Sequence, residues 1–196
     1  NLNEADKVGA MVVDIGGGTT DIAVLCDTGV VVSESLRIGG DSFNEAIIQY
    51  VRRKKKLVIG PLTAEEIKIS AGTVDRRSEE REVEIRGRDA ISGLPKVVTL
   101  HSLEIQRALE SQVMSILEAI KSILEKTPPE LVAAIGDNGI ILTGGGAVIS
   151  GLDRVISRSV GIAAYLVELP RYAVIKGVAK TLDEMSSLRD TLEYLQ

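Results

Sequence analysis

The sequence has almost none of the residues that build aromatic, thiolate or imidazole sites. It contains no tryptophan, one phenylalanine, one histidine and one cysteine among its 196 residues. A single cysteine excludes an internal disulfide and a cluster of thiolate metal ligands. The scarcity of aromatic side chains leaves no stacking platform for single-stranded nucleic acid. We interpret Cys26 as a small strand residue and His101 as a structural residue.

Excess positive charge is also lacking, since the formal net charge is −5. Binding to the nucleic-acid backbone needs clustered lysine and arginine. The one basic run, residues 52–56, closes a predicted helix, whose carboxyl end favours cations. No apolar run approaches the roughly 18 residues of a membrane span, and residues 1–6 lack the basic and apolar regions of a secretory signal. We therefore predict a globular cytoplasmic chain with no nucleic-acid partner and no membrane segment.

Glycine is plentiful, and one cluster of it separates two β-branched apolar runs, 11–13 and 22–25. The cluster reads Asp14, Ile15, Gly16, Gly17, Gly18, Thr19, Thr20, Asp21. Apolar β-branched runs around such a cluster predict a tight hairpin. Consecutive glycines expose backbone N–H groups that hold anions, and carboxylates can hold Mg²⁺ through its waters. The pattern indicates a phosphate turn, and the alternative is a glycine-rich hairpin without a ligand.

A second glycine cluster repeats this pattern about 120 residues later in the chain. Gly144, Gly145, Gly146 and Ala147 follow the apolar run 140–143. Two turns of this kind, each at the end of a strand, indicate one nucleotide that is held from two sides.

These two clusters resemble known nucleotide loops. The first is similar to the second phosphate loop of the superfamily of actin, chaperone and sugar-kinase ATPases, and the second is similar to its adenosine loop. Within that superfamily, segments 83–89, 92–96 and 125–131 resemble the MreB family of bacterial actin homologues. The resemblance extends over residues 8–180.

The resemblance implies an α/β fold, an RNase H-like actin-type ATPase domain that corresponds to the second large domain of the actin fold. Residues 1–39 and 102–196 would form this core, and residues 40–101 would form an inserted smaller α+β subdomain. The first phosphate loop and the catalytic glutamate or glutamine of the superfamily precede the first glycine cluster in a full chain. We therefore expect that this half hydrolyses little ATP by itself, whereas the full-length parent is a slow ATPase.

Helix patterns support this division. The apolar spacing over residues 102–126 predicts a long core helix, and capping boxes at 42–45 and 63–66 predict two further helix starts. A last core helix is predicted over 172–185, which the tail 186–196 extends. The polar stretch 73–80 is predicted to be an exposed loop, to which we attach no function.

The resemblance also assigns site residues. It implies that Asp14 and Thr20 have the catalytic role of ordering Mg²⁺ and the attacking water, with Asp14 reaching the metal through a water. Glu65 and Lys68 share a helix face; taken alone they are a solvated ion pair, but the resemblance implies contacts to the ribose and base. The residues that it assigns to ATP or ADP are Gly16, Gly17, Gly18, Thr19, Glu65, Glu66, Lys68, Gly144, Gly145, Gly146 and Ala147.

The function implied is that of the ATP-binding half of a cytoskeletal protein of the MreB type. Such a protein polymerises into filaments and governs rod shape by organising wall synthesis. Its partners would be further copies of itself in protofilaments and the wall-synthesis machinery, and only the full-length filament would be associated with the membrane. The alternatives are a phosphotransferase of the sugar-kinase type and an ATPase of the chaperone type.

Overall fold

The structure is a computed structural model that describes residues 9–27 and 29–183. In chain order, the strands are β1 (Ala10–Ile15), β2 (Thr20–Cys26), β3 (Gly29–Leu36), β4 (Leu57–Val58), β5 (Glu82–Asp89), β6 (Pro95–His101), β7 (Ile140–Thr143) and β8 (Ala164–Leu166). The helices are α1 (Gly40–Lys55), α2 (Pro61–Ala71), α3 (Ser102–Lys126), α4 (Pro129–Asn138), α5 (Leu152–Val160) and α6 (Ala173–Asp183). The predictions for residues 1–6 and for the tail 186–196 lie outside the described residues.

The larger sheet has five strands in the order β3-β2-β1-β7-β8. The first three strands form an antiparallel meander, whereas β7 runs parallel to both β1 and β8. In this register Asp14 lies opposite Asp21 on β2 and beside Thr143 on β7. The two glycine clusters therefore leave the sheet at the same edge, because each follows the carboxyl end of one of two adjacent parallel strands.

Periodicity explains how the core forms around this sheet. On β1, Met11, Val13 and Ile15 are fully buried, because alternate strand residues face the same side. The long helix α3 has the predicted length and packs against β2 and β3. Its buried stripe recurs at the spacing of a helix face and includes Leu109, Val113, Ile116, Leu117 and Ile120.

A second, smaller sheet has the antiparallel order β4-β5-β6. It lies entirely within residues 40–101, the range predicted for the inserted subdomain. One hydrophobic cluster nevertheless includes Ile85 of this sheet as well as Val13 of the larger one. The division of the chain into two subdomains therefore stays a prediction.

The two predicted capping boxes do not mark the starts of their helices. Helix α1 begins at Gly40, and the Ser42 hydroxyl instead accepts a hydrogen bond from the Gly39 N–H at 2.9 Å. Helix α2 begins at Pro61 and not after Thr63. Proline is favoured in the first helical turn because its fixed φ suits the helix and its missing N–H would have no partner there.

The last helix is not a core helix in this structure. It begins at Ala173, after a 3₁₀ turn formed by Pro170–Tyr172. Its apolar side chains are exposed to solvent; the exposed fractions are 62% for Val174, 60% for Ile175 and 61% for Leu182. Among the described residues, no helix combines the length and apolar character needed to cross a membrane.

Candidate functional site

The first glycine cluster forms the turn between β1 and β2. The Gly16 N–H donates to the Thr19 carbonyl at 2.8 Å, and the Gly16 carbonyl accepts the N–H of Gly40, at the start of α1, at 2.9 Å. Gly17, Gly18 and Thr19 are exposed. An added Cβ at Gly18 would meet no atom of the described residues within 4 Å. The turn is thus held from behind by α1 and presents bare backbone outward, which is the arrangement that suits an anion.

The second glycine cluster follows β7 and lies against the first. Gly144 has a φ of +87°, and its N–H donates to the Pro170 carbonyl at 3.0 Å. A Cβ on Gly146 would lie 3.3 Å from the Gly16 carbonyl oxygen and 2.5 Å from Cγ2 of Ile15. Only residues without side chains allow this approach. The two turns lie side by side, as the sequence predicts.

A cavity of about 310 Å³ opens beside the second turn. This volume lies at the lower end of the range of small-molecule sites. The residues that line it are Glu65, Lys68, Ile69, Gly72, Arg81, Gly145, Gly146, Val148, Ile149, Ser150 and Arg171. Polar groups from α2 thus face the glycine turn across the cavity.

Glu65 and Lys68 form an ion pair on one face of α2, as their spacing predicts. The distance from Lys68 Nζ to Glu65 Oε2 is 2.7 Å, and Lys68 Nζ also donates to the Gly40 carbonyl at 3.1 Å. Asn44 Nδ2 donates to the same Oε2 at 2.7 Å. Burial acts to raise the pKa of Glu65, but the hydrogen bonds from Lys68 and Asn44 outweigh it and hold the pKa below its ordinary value. Glu65 is therefore ionised at neutral pH.

Asp14 lies at the base of the first turn and has a buried oxygen without a partner. Its Oδ1 accepts no hydrogen bond from any described residue. Burial, followed by the charge of Asp21, raises the pKa of Asp14 above its ordinary value of 3.8. Thr19 Oγ1 donates to Asp21 Oδ2 at 2.9 Å. Two carboxylates with spare acceptor capacity fit a Mg²⁺ ion that keeps several of its waters.

The described residues contain no group of three or more histidine, cysteine or carboxylate side chains that could hold a metal ion. A Mg²⁺ ion here would consequently take most of its ligands from water and phosphate, as Mg²⁺ does in nucleotide sites.

Replacing Asp14 with Asn is expected to stabilise the protein at pH 7. A carboxyl group whose pKa is raised by folding destabilises the folded state when it is ionised, and this cost disappears as the pH falls through the raised pKa. We expect the melting temperature of Asp14→Asn to exceed that of the wild type at pH 7. The difference should shrink as the pH falls. Thermal unfolding across a pH series measures this difference. Equal melting temperatures at pH 7 would contradict the destabilising effect that we ascribe to the ionised Asp14 carboxylate.

Four residues predicted to belong to the site do not face it. Thr20 is fully buried, and its hydroxyl donates to the Ile38 carbonyl at 2.7 Å, so it is not placed to position a water. Glu66 is exposed on another side of α2, where it lines a shallow groove against β5. Gly144 and Ala147 are buried and do not line the cavity. Gly144 instead shapes the turn that presents Gly145 and Gly146.

Two arginines that line the cavity were missed by sequence reasoning. Arg171 follows Pro170, whose carbonyl also accepts a hydrogen bond from Thr143 Oγ1 at 3.2 Å, so the turn that bears Arg171 is tied to the end of β7. The charge of Arg171 contributes to the lowered pKa of Glu65. Arg81 lies at the end of the loop that precedes β5. A Pro-Arg pair after the last strand was a weak signal for Arg171, and the sequence carried none for Arg81.

The polar stretch 73–80 also differs from its prediction. Thr73, Val74 and Asp75 are buried, with exposed fractions of 3%, 5% and 2%. The first part of this loop is consequently packed against the body of the protein and is not an exposed edge.

Known proteins resemble this chain over most of its length. The model of a family described as "MreB/Mbl protein" matches residues 1–190. The cell shape-determining protein Mbl of Bacillus subtilis is 46% identical over 180 residues, which are 92% of this chain and 54% of that protein. The cell shape-determining protein MreB of Escherichia coli is 46% identical over 182 residues, which are 93% of this chain and 52% of that protein. The chain thus spans about half the length of the curated relatives that it matches.

Solved structures show the same relationship. MreB5 of Spiroplasma citri bound to ADP superposes with a TM-score of 0.90 at 33% identity, covering 97% of this chain and 58% of that one. The MamK double helical filament superposes with a TM-score of 0.68 at 26% identity, covering 83% of this chain and 50% of that one. These likenesses confirm the predicted actin-type α/β fold. They favour the predicted filament class over the sugar-kinase and chaperone alternatives. With a family model that spans nearly the whole sequence and relatives at 46% identity, this chain belongs to the MreB/Mbl family.

Proposed function

We propose that this chain is the nucleotide-binding half of an actin-like protein that assembles into filaments and governs cell shape. The observation that carries the proposal is the contact between two glycine turns from distant parts of the chain at one edge of the sheet, next to a cavity of about 310 Å³. The relatives are named for determining cell shape, and MreB5 was solved with ADP and with AMPPNP.

The first turn is assigned to the phosphates of ATP or ADP. The exposed backbone of Gly17, Gly18 and Thr19 offers N–H groups to phosphate oxygens, and Gly16 anchors the turn. Phosphoryl chemistry depends mostly on positioning and on neutralisation of charge. We assign Mg²⁺, which supplies that neutralisation when bound, to Asp14 through its waters.

The adenosine is assigned to the cavity between the second turn and α2. Both hydrogen bonds described for the Glu65 carboxylate fall on Oε2, so we assign Oε1 to a ribose hydroxyl. Lys68 is only 11% exposed and already contacts Glu65 and the Gly40 carbonyl. Its role is consequently to hold α2 against the start of α1, and Gly145 and Gly146 form the opposite wall.

Filament assembly is the further part of the proposal. MamK was solved as a double helical filament, and an interface that joins unlike surfaces of two copies without closing a ring produces an open polymer. We propose self-association into protofilaments, wall-synthesis proteins as partners, and a cytoplasmic location with membrane association of the full-length filament. Nucleotide binding would favour assembly, and hydrolysis in the full-length protein would be slow.

Replacing Gly17 with Val tests this proposal. Among the described residues, an added Cβ meets only Asp41 Oδ2, at 3.9 Å, so the variant should fold. Its side chain would occupy the space assigned to phosphate. We expect affinity for ADP, measured by calorimetry, to fall by more than about tenfold, or 1.4 kcal/mol. ATP-dependent assembly of the full-length parent that carries the same change, measured by sedimentation, should be lost.

Gly136→Val is the matched control, because Gly136 is exposed on α4 and a Cβ there meets nothing within 4 Å in the part of the chain that the structure describes. It should bind and assemble as the wild type does. Unchanged ADP affinity in Gly17→Val would remove the first turn from the phosphate site.

A further inference from the structure

The loop between α2 and β5 turns inward and is bound to the segment that follows the second glycine turn. Thr73 and Ser150 form an isolated parallel bridge. The Val74 N–H donates to the Ser150 carbonyl at 3.0 Å, and Thr73 Oγ1 donates to the same carbonyl at 3.1 Å. Two segments that are 77 positions apart in the sequence therefore run side by side here.

The Asp75 carboxylate completes this junction with charge-assisted hydrogen bonds. Arg158 approaches as a fork, with Nη2 2.7 Å from Oδ1 and Nη1 3.2 Å from Oδ2. Arg154 Nε lies 3.0 Å from Oδ2, and the Arg77 N–H donates to Oδ1 at 3.1 Å. The hydrogen bond from Arg158, with those from Arg77 and Arg154, holds the pKa of Asp75 well below its ordinary value in spite of burial. Such bidentate pairs fix geometry as well as adding energy.

The loop that carries Asp75 lies so close to Gly151 that there is no space for a side chain at that position. Gly151 has a φ of +85°, and a Cβ there would lie 2.5 Å from the Cβ of Asp75. Arg154 also reaches the hydroxyl of Ser78, with Nη2 3.0 Å from Oγ. Asp75 is 2% exposed, so water does not compete for its carboxylate. The junction is therefore a single tight contact and not a loose surface pairing.

The junction joins two segments that also contribute residues to the lining of the proposed nucleotide cavity. One wall of the cavity includes Ile69 and Gly72, and Asp75 follows three residues after Gly72. The opposite wall includes Ser150, and Arg154 follows four residues after it on α5. The cavity lining does not include Asp75, but its ion pairs join the two segments whose residues form the walls.

We propose that Asp75 is a positioning residue for the nucleotide, whose ion pairs with Arg154 and Arg158 set the distance between the two walls that enclose the adenosine. This inference rests on the proposed nucleotide site. Asp75 acts through the walls and does not contact the ligand. Without its charge the loop loses its anchor on α5, and the walls can separate.

Asp75→Asn is the variant that tests this role, because it keeps the shape of the side chain and removes the charge. The two arginines left behind are 50% and 40% exposed, so water can solvate them and the protein should stay folded. We expect affinity for 1,N⁶-ethenoadenosine diphosphate to fall by about tenfold, within the range of coupling between sites through a protein. Acrylamide should quench the bound base more strongly than in the wild type, because an opened cavity exposes it.

Glu110→Gln is the matched control for the same loop. Glu110 pairs with Arg76 at 2.8 Å on the exposed surface, with side chains 52% and 68% exposed. It is likewise an exchange of acid for amide, and we expect no change in affinity or quenching. Arg158→Gln should weaken binding as Asp75→Asn does, and the double variant should be no weaker than either single variant.

The outcomes separate the two proposals. If the wild type binds neither ADP nor its etheno analogue, the nucleotide site itself is wrong. If the wild type binds but Asp75→Asn has the same affinity, or shields the bound base equally well, the positioning role of Asp75 is overturned. A fall in melting temperature with unchanged affinity and quenching overturns it too, because Asp75 would then support only stability.

Discussion

Replacing Gly144 with Ala is expected to lower the free energy of unfolding by about 3 to 5 kcal/mol, because strain and steric overlap would act at one residue. Gly144 has a φ of +87°, a region that residues with a side chain rarely adopt. Its added Cβ would also lie 2.3 Å from the Ile15 carbonyl oxygen and 2.5 Å from Asp14 Oδ1. The Ile15 carbonyl cannot withdraw easily, since it belongs to the backbone of β1 in the centre of the larger sheet. Denaturation in urea, followed by circular dichroism, measures the loss.

The adjacent residue provides the control. Gly145 has no positive φ, and the nearest atom to an added Cβ is Cγ of Arg171, at 3.7 Å. Gly145→Ala should therefore change the free energy of unfolding by less than about 0.5 kcal/mol. Equal stabilities of the two variants would show that the contact between the turns is looser than this structure indicates.

The second large effect is expected for Phe43→Ala. Phe43 is the only phenylalanine in the chain, and it is fully buried near the start of α1. Removing a buried phenylalanine side chain costs about 3 to 5 kcal/mol, because transfer energy is lost and a cavity remains. The substitution should also lower nucleotide affinity, because the start of α1 supports the first glycine turn. The N–H groups of Gly40 and Asp41, at the start of α1, donate to the carbonyls of Gly16 and Gly17.

Leu62→Ala is the comparison for this substitution, because Leu62 is 82% exposed on the neighbouring helix α2. We expect a change of less than about 0.5 kcal/mol for it. Urea denaturation and ADP calorimetry should both distinguish the two variants. A Phe43→Ala protein with the stability of the wild type would mean that α1 is not anchored through this side chain.

Local chemistry along the chain was sufficient to predict much of the architecture. The glycine turn after Ile15 follows from β-branched runs around residues that lack Cβ, and α3 follows from a buried stripe at helical spacing. The shared face of Glu65 and Lys68 follows from their spacing of three positions along the helix. The same geometry could have excluded Glu66, since neighbouring helix residues are rotated by about 100° around the axis.

Other features depend on residues that meet only when the chain is folded. Thr20 was predicted to position a water, but its hydroxyl donates a hydrogen bond to the carbonyl of Ile38, 18 positions later in the sequence. Asp75 was read as part of an exposed loop, but its arginine partners lie 79 and 83 positions away. The exposure of a polar side chain is set by such distant contacts, which local propensity does not encode. Backbone preference and periodicity therefore sufficed for the glycine turns and for the main strands and helices, but not for the starts of α1 and α2 or the exposure of α6. Which side chains face the proposed nucleotide site depends on long-range packing.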